Sequence, residues 1–325
     1  MMHKSLCIIL LNYKNEADTV SCVKSVLDSD CSELPYIVVV DNSSSETHLD
    51  EKLRFYPDIQ VLFPNRNLGF AEGNNFGIRW VRKHVNFNFL LILNNDTLLW
   101  RNAISIMISY AVRHPETDFF APCIITSDSP PRIWYAGGEI NNCLMTPRIN
   151  FIGKDYNYVQ LRDCNTEFVS GCAVLISANG NDLDENLFDP YFFMYDEDVD
   201  LSLNIIERGG HISFIRDAVI VHKCQGSQLS ESKKKINQLS PDNSNLVFYL
   251  RHTINNRFYI IDKHYTGINR LEIKLCIISY WLLKSVQFGI HLRFKAAFTV
   301  IFEIISYSFC KRNNHICSDN LLPMG

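Results

Sequence analysis

Residues 6–11 have the sequence LCIILL, an uninterrupted apolar run that ends at the polar residue Asn12. Three similar runs follow along the chain: YIVVV at 36–40, the weaker IQVL at 59–62, and FLLIL at 89–93. Helix-like amphipathic stretches lie between the runs, at about 16–29, 46–56 and 72–84. Uniformly apolar strands that alternate with helices are typical of a mostly parallel sheet with helices on both faces. We therefore predict an α/β fold of the Rossmann-like kind.

Polar side chains follow each of these runs. They are Asn12 after the first run, Asp41 and Asn42 after the second, Asn65 and Asn67 after the third, and Asn94, Asn95 and Asp96 after the fourth. Asn and Asp are also common in turns. However, ligands of open α/β sheets bind beyond the carboxyl ends of the strands. Four such positions on one sheet edge therefore favour a ligand site, where a nucleotide could lie.

The composition argues against two classes of protein. The 325 residues include 31 Lys+Arg and 35 Asp+Glu, which give a formal net charge of −4, and 47% are hydrophobic. That apolar content argues against a disordered chain, and the absence of a basic excess argues against a nucleic-acid-binding protein. The 11 cysteines form no CxxC pair, and the first apolar run is too short for a signal peptide. We expect reduced thiols in a cytosolic protein.

The sequence predicts two parts that meet near residue 245. Residues 1–245 contain the alternating strands and helices, and residues 246–325 form a helical extension rich in aromatic side chains. The polar segment 224–245 is predicted to be a solvated loop, with a lid over the substrate as the alternative.

The helical extension has the composition of a membrane-surface element. No uncharged run in it reaches the ~18–20 residues that cross a bilayer. Its aromatic residues alternate with Lys284, Arg293 and Lys295, which suits an interfacial helix pair. A core-packing tail or a dimer contact is an equal alternative.

A cluster of acids is the strongest catalytic signal. Residues 196–200, DEDVD, follow the aromatic stretch 187–195, and Val199, Leu203 and Ile206 have helical spacing. The acids therefore lie in the first turn of a helix. Charge against the helix dipole would explain one or two of them. Four acids beside aromatic side chains would repel one another and raise a pKa, which suits a general base.

Asp96 and His222 are candidate metal ligands. Asp96 follows a strand, and carboxylate oxygens suit Mg²⁺ or Mn²⁺, which take their remaining ligands from substrate phosphates. His222 closes the predicted strands at 211–215 and 218–221, so it could reach the same metal. A single histidine is more often structural.

The segment 67–75, NLGFAEGNN, joins a strand to a helix. Its glycines allow close backbone approach, and the helix N-terminus favours an anion. It is neither GxGxxG nor a P-loop, which argues against dinucleotide binding and P-loop hydrolysis.

Taken together, these segments resemble the family 2 inverting glycosyltransferases with the GT-A fold, particularly a bacterial rhamnosyltransferase-like branch. The segments that carry the resemblance are 9–13 (ILLNY), 38–44 (VVVDNSS), 65–77 (NRNLGFAEGNNFG), 93–97 (LNNDT), 188–201 (from FD to EDVDL), and 221–222 (VH). Residues 256–258 (NRF) are a weaker match. The resemblance implies that residues 1–245 are a GT-A catalytic domain.

The resemblance also implies roles for single residues. Asp198 would be the catalytic base, and Asp96 and His222 would hold a divalent metal, Mg²⁺ or Mn²⁺. Donor binding would involve Asn12, Asp41, Asn67, Gly73, Asn74 and Asn95. Gly171, Glu197 and Asp200 would contact the acceptor or orient neighbouring groups. Asn204 departs from the family pattern, since many relatives carry Arg at that helix position.

The function implied by the resemblance is transfer of a sugar from a nucleotide-sugar to a saccharide acceptor, lipid-linked, in surface polysaccharide synthesis of the O-antigen or capsule type. The protein would be cytoplasmic and peripheral on the inner membrane, and a homo-oligomer is possible. A sugar nucleotidyltransferase is the first alternative, although 11–15 (LNYKN) lacks the glycines and basic residues of a triphosphate loop. A non-catalytic membrane-surface protein with a decayed site is the second.

Overall fold

A computed structural model describes residues 2–43, 47–56, 58–178, 184–223, 238–240 and 243–310. The chain divides into two compact units. The sheet unit comprises Met1–Ile140 and Thr146–Ser227, and the helical unit comprises Asn141–Met145 and Gln228–Gly325. Most of segment 224–245, for which we predict a loop or a lid, lies outside the described residues, so that prediction and the boundary near 245 stay predictions.

The sheet unit contains twelve strands in its described residues. They are β1 (Met2–Asn12), β2 (Tyr36–Asp41), β3 (Ile59–Leu62), β4 (Val85–Asn94), β5 (Thr97–Leu99), β6 (Phe119–Thr126), β7 (Ile133–Tyr135), β8 (Gly138–Asn141), β9 (Thr146–Ile149), β10 (Cys164–Asn165), β11 (Ala173–Ser177) and β12 (Ile212–His222). Its helices are α1 (Glu16–Leu27), α2 (Leu49–Leu53), α3 (Gly69–His84), α4 (Ala103–Arg113) and α5 (Glu197–Glu207).

The main sheet is mixed but mostly parallel, which confirms the predicted fold class. Its order is β10-β12-β6-β11-β4-β1-β2-β3, with β5 paired to β12 and β7 paired to β6. Strands β4, β1, β2 and β3 are parallel, as are β12 and β6, whereas β11 runs antiparallel between β4 and β6. Helices α1, α3 and α4 pack on this sheet. The carboxyl ends of β1, β2 and β4 therefore lie at one edge.

Segment 115–165 is more regular than its sequence suggests. We expect loops and short strands there, but β6 spans eight residues in the middle of the sheet. The sequence does not predict this strand because it contains Pro122, and proline is rare inside sheets. A bulge in β12 between Ile215 and Val219 lies opposite Pro122 and Cys123. The same bulge joins the two strands predicted at 211–215 and 218–221 into one.

The helical unit contains α6 (Leu246–His264), α7 (Gly267–Ile290) and α8 (Phe294–Cys310). Helices α7 and α8 pack on each other, and α6 packs on both. Among the helices described, α7 alone is long and apolar enough to cross a membrane by length and composition. Lys274 and Lys284 interrupt the apolar residues of α7, as the lack of a long uncharged run predicts, and the expectation that no segment crosses a bilayer stays a prediction.

Candidate active site

Asp96 and His222 lie side by side. The turn after β4 carries Asp96, and β5 then pairs with the end of β12, with Thr97 opposite His222. His222 Nε2 lies 3.1 Å from Asp96 Oδ1, and both side chains are mostly buried. The ring of Trp134 packs edge-on against the His222 imidazole, with centroids 4.7 Å apart. The two residues predicted to share a metal are therefore adjacent and form a candidate ligand pair.

This pair fits a divalent metal that also binds substrate. It offers one carboxylate oxygen and one imidazole nitrogen. Mg²⁺-type sites use one or two carboxylates and complete their coordination with phosphates and water, and imidazole extends the choice toward transition metals. Within the described ranges, no group of three or more His, Cys, Asp or Glu side chains could hold a metal. The remaining ligands would therefore come from substrate and water.

Asn12 is the centre of a buried hydrogen-bond network at the end of β1. Its amide Nδ2 donates to Asp41 Oδ1 over 2.9 Å and to Ser43 Oγ over 3.1 Å. Its Oδ1 accepts from Thr19 Oγ1 and from Asn95 Nδ2, at 2.9 and 3.2 Å. The hydrogen-bonding capacity of Asn12 is thus used inside the protein, where it holds Asp41 and Asn95 at the sheet edge.

Asn42 and Asn67 form the start of α3. The Asn42 amide accepts a hydrogen bond from Leu68 N at 2.8 Å and donates to the Gly69 carbonyl at 2.9 Å. Asn67 Oδ1 accepts from Gly69 N at 2.9 Å. These bonds begin α3 at Gly69, three residues before the predicted start. They satisfy backbone groups that the end of a helix leaves unpaired.

Gly73 and Asn74 lie in the contact between α3 and the sheet. A Cβ on Gly73 would come within 2.6 Å of a Leu11 methyl carbon, and one on Gly77 would lie 3.0 Å from β1 side-chain atoms. Asn74 Nδ2 donates to the Phe70 carbonyl of its own helix at 2.9 Å. The structure therefore gives Gly73 a packing contact and Asn74 an intrahelical bond, and the donor contacts expected for them stay predictions.

The start of α3 also holds the segment that precedes the acid cluster. Asn75 Nδ2 donates to the Phe188 carbonyl at 2.6 Å, and Asn75 Oδ1 accepts from Phe188 N at 3.1 Å. Phe70 N donates to the Phe193 carbonyl at 2.6 Å. Gly69 has φ +76°, and a Cβ there would lie 2.2 Å from that carbonyl oxygen. Two residue stretches more than 100 positions apart are thus joined directly.

Asp198 lies at the same sheet edge as the candidate ligand pair Asp96–His222. Gly171 N donates to Asp198 Oδ2 over 3.4 Å, and the next residue, Cys172, accepts from Asn94 N at 2.8 Å. Asn94 ends β4, two residues before Asp96. A Cβ on Gly171 would lie 3.2 Å from the Phe70 ring and 3.8 Å from the Cβ of Asp198, so a side chain there would crowd Phe70 beside the carboxylate.

Burial sets the protonation of two adjacent acids. Burial, together with the negative charge of Asp196, raises the pKa of the Asp198 carboxyl to about 7. Burial and the charge of Asp198 raise the pKa of Glu197 well above its usual range. Glu197 Oε2 has no hydrogen-bond partner among the described residues. A carboxyl with a pKa near 7 can accept a proton at neutral pH and release it again, which a general base requires.

The backbone that leads into α5 is strained. Tyr195 has φ +70° and Asp196 has φ +60°, and neither is glycine. Left-handed non-glycine residues cost about 1–3 kcal/mol each when the surrounding fold imposes them, and they concentrate at functional sites. The strain here falls on the two residues directly before Glu197.

Asp200 and Asn204 form a pair inside α5. Asp200 is fully buried, and Asn204 Nδ2 donates to its Oδ2 at 2.9 Å. Between them in sequence, Ser202 Oγ donates to the Asp198 carbonyl at 2.7 Å and accepts from Val169 N at 3.1 Å. These bonds connect α5 to the segment beside Gly171. Asn204, at the position where Arg is expected, therefore contacts Asp200.

Several site residues have no distinctive sequence signal. Asn42 and Asn75 lie within the quoted motifs, but nothing in a single sequence identifies their backbone partners. Trp134 and the ion pair between Lys223 Nζ and Asp18 Oδ1, 2.7 Å apart, lie outside those motifs. Only the position of Lys223, next to His222, could have directed attention to it.

Comparisons with known proteins agree with this architecture. Residues 5–181, more than half of the chain, match the model of the family described as Glycosyl transferase family 2. The low-salt glycan biosynthesis hexosyltransferase Agl10 of Haloferax volcanii is 34% identical over 135 residues, which cover 40% of each chain. This chain therefore spans less than half the length of that relative in the match.

Two solved structures have a similar fold. The crystal structure of GalNAc-T7 with UDP, GalNAc and Mn²⁺ superposes with a TM-score of 0.58 and 15% identity, over 79% of this chain and 47% of that one. The crystal structure of S. aureus TarS 1-349 superposes with a TM-score of 0.50 and 13% identity, over 94% and 91%. At 13–15% identity these two structures support only the fold. The match to the family model over residues 5–181 supports family membership. This chain is a member of glycosyl transferase family 2.

Proposed function

We propose that this protein is an inverting glycosyltransferase that moves a sugar from a nucleotide-sugar to a saccharide acceptor. The observation that carries the proposal is the position of two groups at the carboxyl end of β4. One is the Asp96–His222 pair, and the other is Asp198, buried and with a pKa near 7. A donor diphosphate needs charge compensation, and an acceptor hydroxyl needs a base. The sheet edge offers a candidate group for each.

In the proposed mechanism, Asp198 accepts the proton of the acceptor hydroxyl while that oxygen attacks the anomeric carbon. A bond forms between the acceptor oxygen and this carbon, and the bond to the diphosphate oxygen breaks. A single displacement inverts the anomeric centre, and the nucleoside diphosphate leaves with the bonding electrons. A divalent metal held by Asp96 and His222 would compensate the charge of the leaving diphosphate. Fixed orientation of both substrates lowers the entropic barrier.

We assign the other residues by their contacts. Asp41 and Asn95, held by Asn12, are proposed to contact the donor. Gly73 and Asn74 are proposed to act through the packing of α3. Glu197 and Asp200, both buried, are proposed to orient α5 and keep Asp198 basic, and Gly171 is proposed to position the Asp198 carboxylate through its N–H group.

The relatives support the substrate class of this proposal. The GalNAc-T7 crystal contains UDP and Mn²⁺, and the relative from Haloferax volcanii is called a hexosyltransferase of glycan biosynthesis. We therefore propose a hexose donor, with rhamnose as an alternative, and a glycan acceptor. A lipid-linked acceptor, a cytoplasmic location at the inner face of the membrane and a homo-oligomeric state are parts of the same proposal.

A donor screen tests the proposal. The purified chain, with Mn²⁺ and a membrane extract as acceptor, should release a nucleoside diphosphate from one of a panel of nucleotide-sugars. Release of pyrophosphate from a sugar phosphate and a nucleoside triphosphate would instead identify a nucleotidyltransferase. Donor binding without any turnover would support the non-catalytic alternative.

A variant pair tests the base. Asp198→Asn should lower kcat by about 10²–10⁴-fold and leave the affinity for the donor unchanged, because the carboxylate acts on the acceptor. Asp50→Asn, an exposed acid of α2, is the matched control. Turnover of Asp198→Asn within a few-fold of the parent would remove Asp198 as the base.

A further inference from the structure

Helix α7 has one buried and one exposed apolar side. Ile277, Trp281 and Phe288 are almost fully buried, at the i, i+4, i+11 spacing of one helix face. The exposed apolar side chains of α7 include Leu275, Leu283, Val286 and Ile290. A soluble helix normally has charged or polar groups on its exposed side. The exposed side of α7 therefore has the character of a buried surface.

Helix α8 repeats this pattern, and α7 and α8 are joined as a hairpin. Phe294, Phe298 and Phe302 recur every four residues and are 57–72% exposed. Ser285 Oγ of α7 donates to the Ala297 carbonyl of α8 at 3.1 Å. The two helices therefore present their exposed aromatic and aliphatic side chains as parts of one packed pair.

The turn between the helices, residues 290–295, alternates apolar and basic residues. Ile290 and Leu292 are each 74% exposed, and the apolar residue that follows is Phe294. The residues between them are His291, Arg293 and Lys295, which are also exposed. The turn is fixed by backbone bonds, including one of 2.8 Å from Arg293 N to the Phe288 carbonyl. The apolar side chains are thus held out into solvent by an ordered turn.

The charge of this hairpin is opposite in sign to that of the whole chain. No Asp or Glu occurs between Glu272 and Glu303, whereas Lys274, Lys284, Arg293 and Lys295 lie in that stretch. Glu303 itself is buried, with its carboxylate 2.8 Å from Asn255. The full chain has a formal net charge of −4. A basic apolar hairpin that lacks acids from 273 to 302, on a chain of negative net charge, is complementary to an anionic apolar surface.

We propose that the α7–α8 hairpin is a docking surface for an anionic lipid bilayer, with the turn 290–295 inserted at the headgroup boundary and the helices lying along the membrane. Apolar side chains flanked by Lys and Arg suit this boundary, and each basic residue near anionic lipid strengthens binding about fivefold. Lysines are depleted at protein–protein interfaces, which disfavours a second copy of the chain. In this proposal α7 lies along the membrane and does not cross it, although its length and composition also suit a crossing, which is one outcome of the test.

Vesicle sedimentation tests the proposal with the full chain. Vesicles that contain about 30% phosphatidylglycerol in phosphatidylcholine should bind the protein, and pure phosphatidylcholine should bind it much more weakly. The double variant Arg293→Gln/Lys295→Gln should bind about 25-fold more weakly. Leu292→Glu, an exposed position, should abolish sedimentation. The matched control is Lys83→Gln, an exposed lysine of α3 in the sheet unit, which should bind like the parent.

Three outcomes would overturn the proposal. The first is equal binding to both kinds of vesicle. The second is a dimer in solution that Leu292→Glu dissociates, with no vesicle binding by the parent, which would identify a second copy as the occupant. The third is extraction of the parent from native membranes by detergent only, with high salt or carbonate ineffective, which would indicate a spanning α7. Diphosphate release to a soluble acceptor is measured separately, so failure of docking and failure of the proposed transfer are distinguishable.

Discussion

Asp198 ionises at the expense of folding stability. Burial and the charge of Asp196 raise its pKa from an ordinary value near 3.8 to about 7. Below about pH 4 the carboxyl is protonated in both the folded and the unfolded chain. As the pH rises toward 7 the unfolded chain loses this proton first, so the free energy of unfolding falls, and the full penalty applies above pH 7. The proposed base is therefore a destabilising residue at neutral pH.

Replacing this acid with its neutral amide should stabilise the protein. Asp198→Asn should raise the free energy of unfolding at pH 8 by at most about 4 kcal/mol, the equivalent of this pKa difference. At pH 5 the gain should be less than half as large. Urea denaturation at the two pH values measures both, with Asp50→Asn as the control. A gain that does not change between pH 5 and pH 8 would contradict the raised pKa.

Asp196 offers a second test at the residue scale. Asp196→Asn removes a negative charge that raises the pKa of Asp198, and asparagine tolerates the left-handed backbone at φ +60°. The acidic limb of the kcat/KM profile should therefore move to lower pH, while the fold is kept. A pH–rate profile of the variant beside the parent and Asp50→Asn checks this. An acidic limb at the parent position would show that another group controls the profile.

At the scale of elements, the contact between α3 and the segment before α5 should couple packing to activity. Gly69 and Gly153 both have φ +76°, but a Cβ on Gly69 would lie 2.2 Å from the Phe193 carbonyl, and one on Gly153 would have nothing within 4 Å. Gly69→Ala and Gly153→Ala should each lose about 1–2 kcal/mol through backbone strain. Gly69→Ala should lose a further ~1–3 kcal/mol through overpacking.

Activity should separate these two alanine variants. Displacement of Phe193 would move the start of α5, so Gly69→Ala should lose turnover at a temperature where it is still folded. Gly153→Ala should keep turnover. Thermal melts and diphosphate-release assays on both variants give the comparison. Equal activity of the two would show that this contact does not position Asp198.

The sequence predicts elements well where the apolar pattern is uniform and poorly where single residues break it. Strands β2 and β3 start where expected, because Pro35 precedes Tyr36 and Asp58 precedes Ile59. Helix α2 is much shorter than predicted, Leu49–Leu53 instead of 46–56. Strand β6 is hidden by Pro122, because only the bulge in a distant strand makes a proline acceptable there. Contacts with distant residues decide where such elements begin and end, and a local sequence pattern contains no information on those contacts.

The site residues, too, are predicted well in some positions and poorly in others. Strand ends and the acid cluster indicate Asp96, His222 and Asp198, because chemistry at a sheet edge follows from strand position. The sequence cannot tell that a Cβ on Gly73 would meet Leu11, because that contact depends on how α3 packs on β1. The hydrogen bonds of Asn42 and Asn75 depend on backbone groups brought near by the fold.

At the scale of the whole molecule, donor product and metal should stabilise the fold together. A nucleoside diphosphate at about 100 times its Kd, with Mn²⁺, should add about 2.7 kcal/mol and raise the Tm by about 5 °C. Chelation should remove the metal-dependent part of the shift, and Asp96→Ala should remove it at every Mn²⁺ concentration. Thermal melts with uridine, guanosine and thymidine diphosphates also identify the base preference. If Mn²⁺ raises the Tm of Asp96→Ala as much as that of the control Asp50→Ala, Asp96 is excluded as a metal ligand.

The two left-handed residues before α5 limit which sequences can occupy this position. Tyr195 and Asp196 have backbone angles that glycine, asparagine and aspartate accept readily and that β-branched residues avoid. A library randomised at both codons and sorted only for folded protein should therefore be enriched in Gly, Asn and Asp and depleted of Val, Ile and Thr. Tyrosine at the first codon should be recovered less often than glycine.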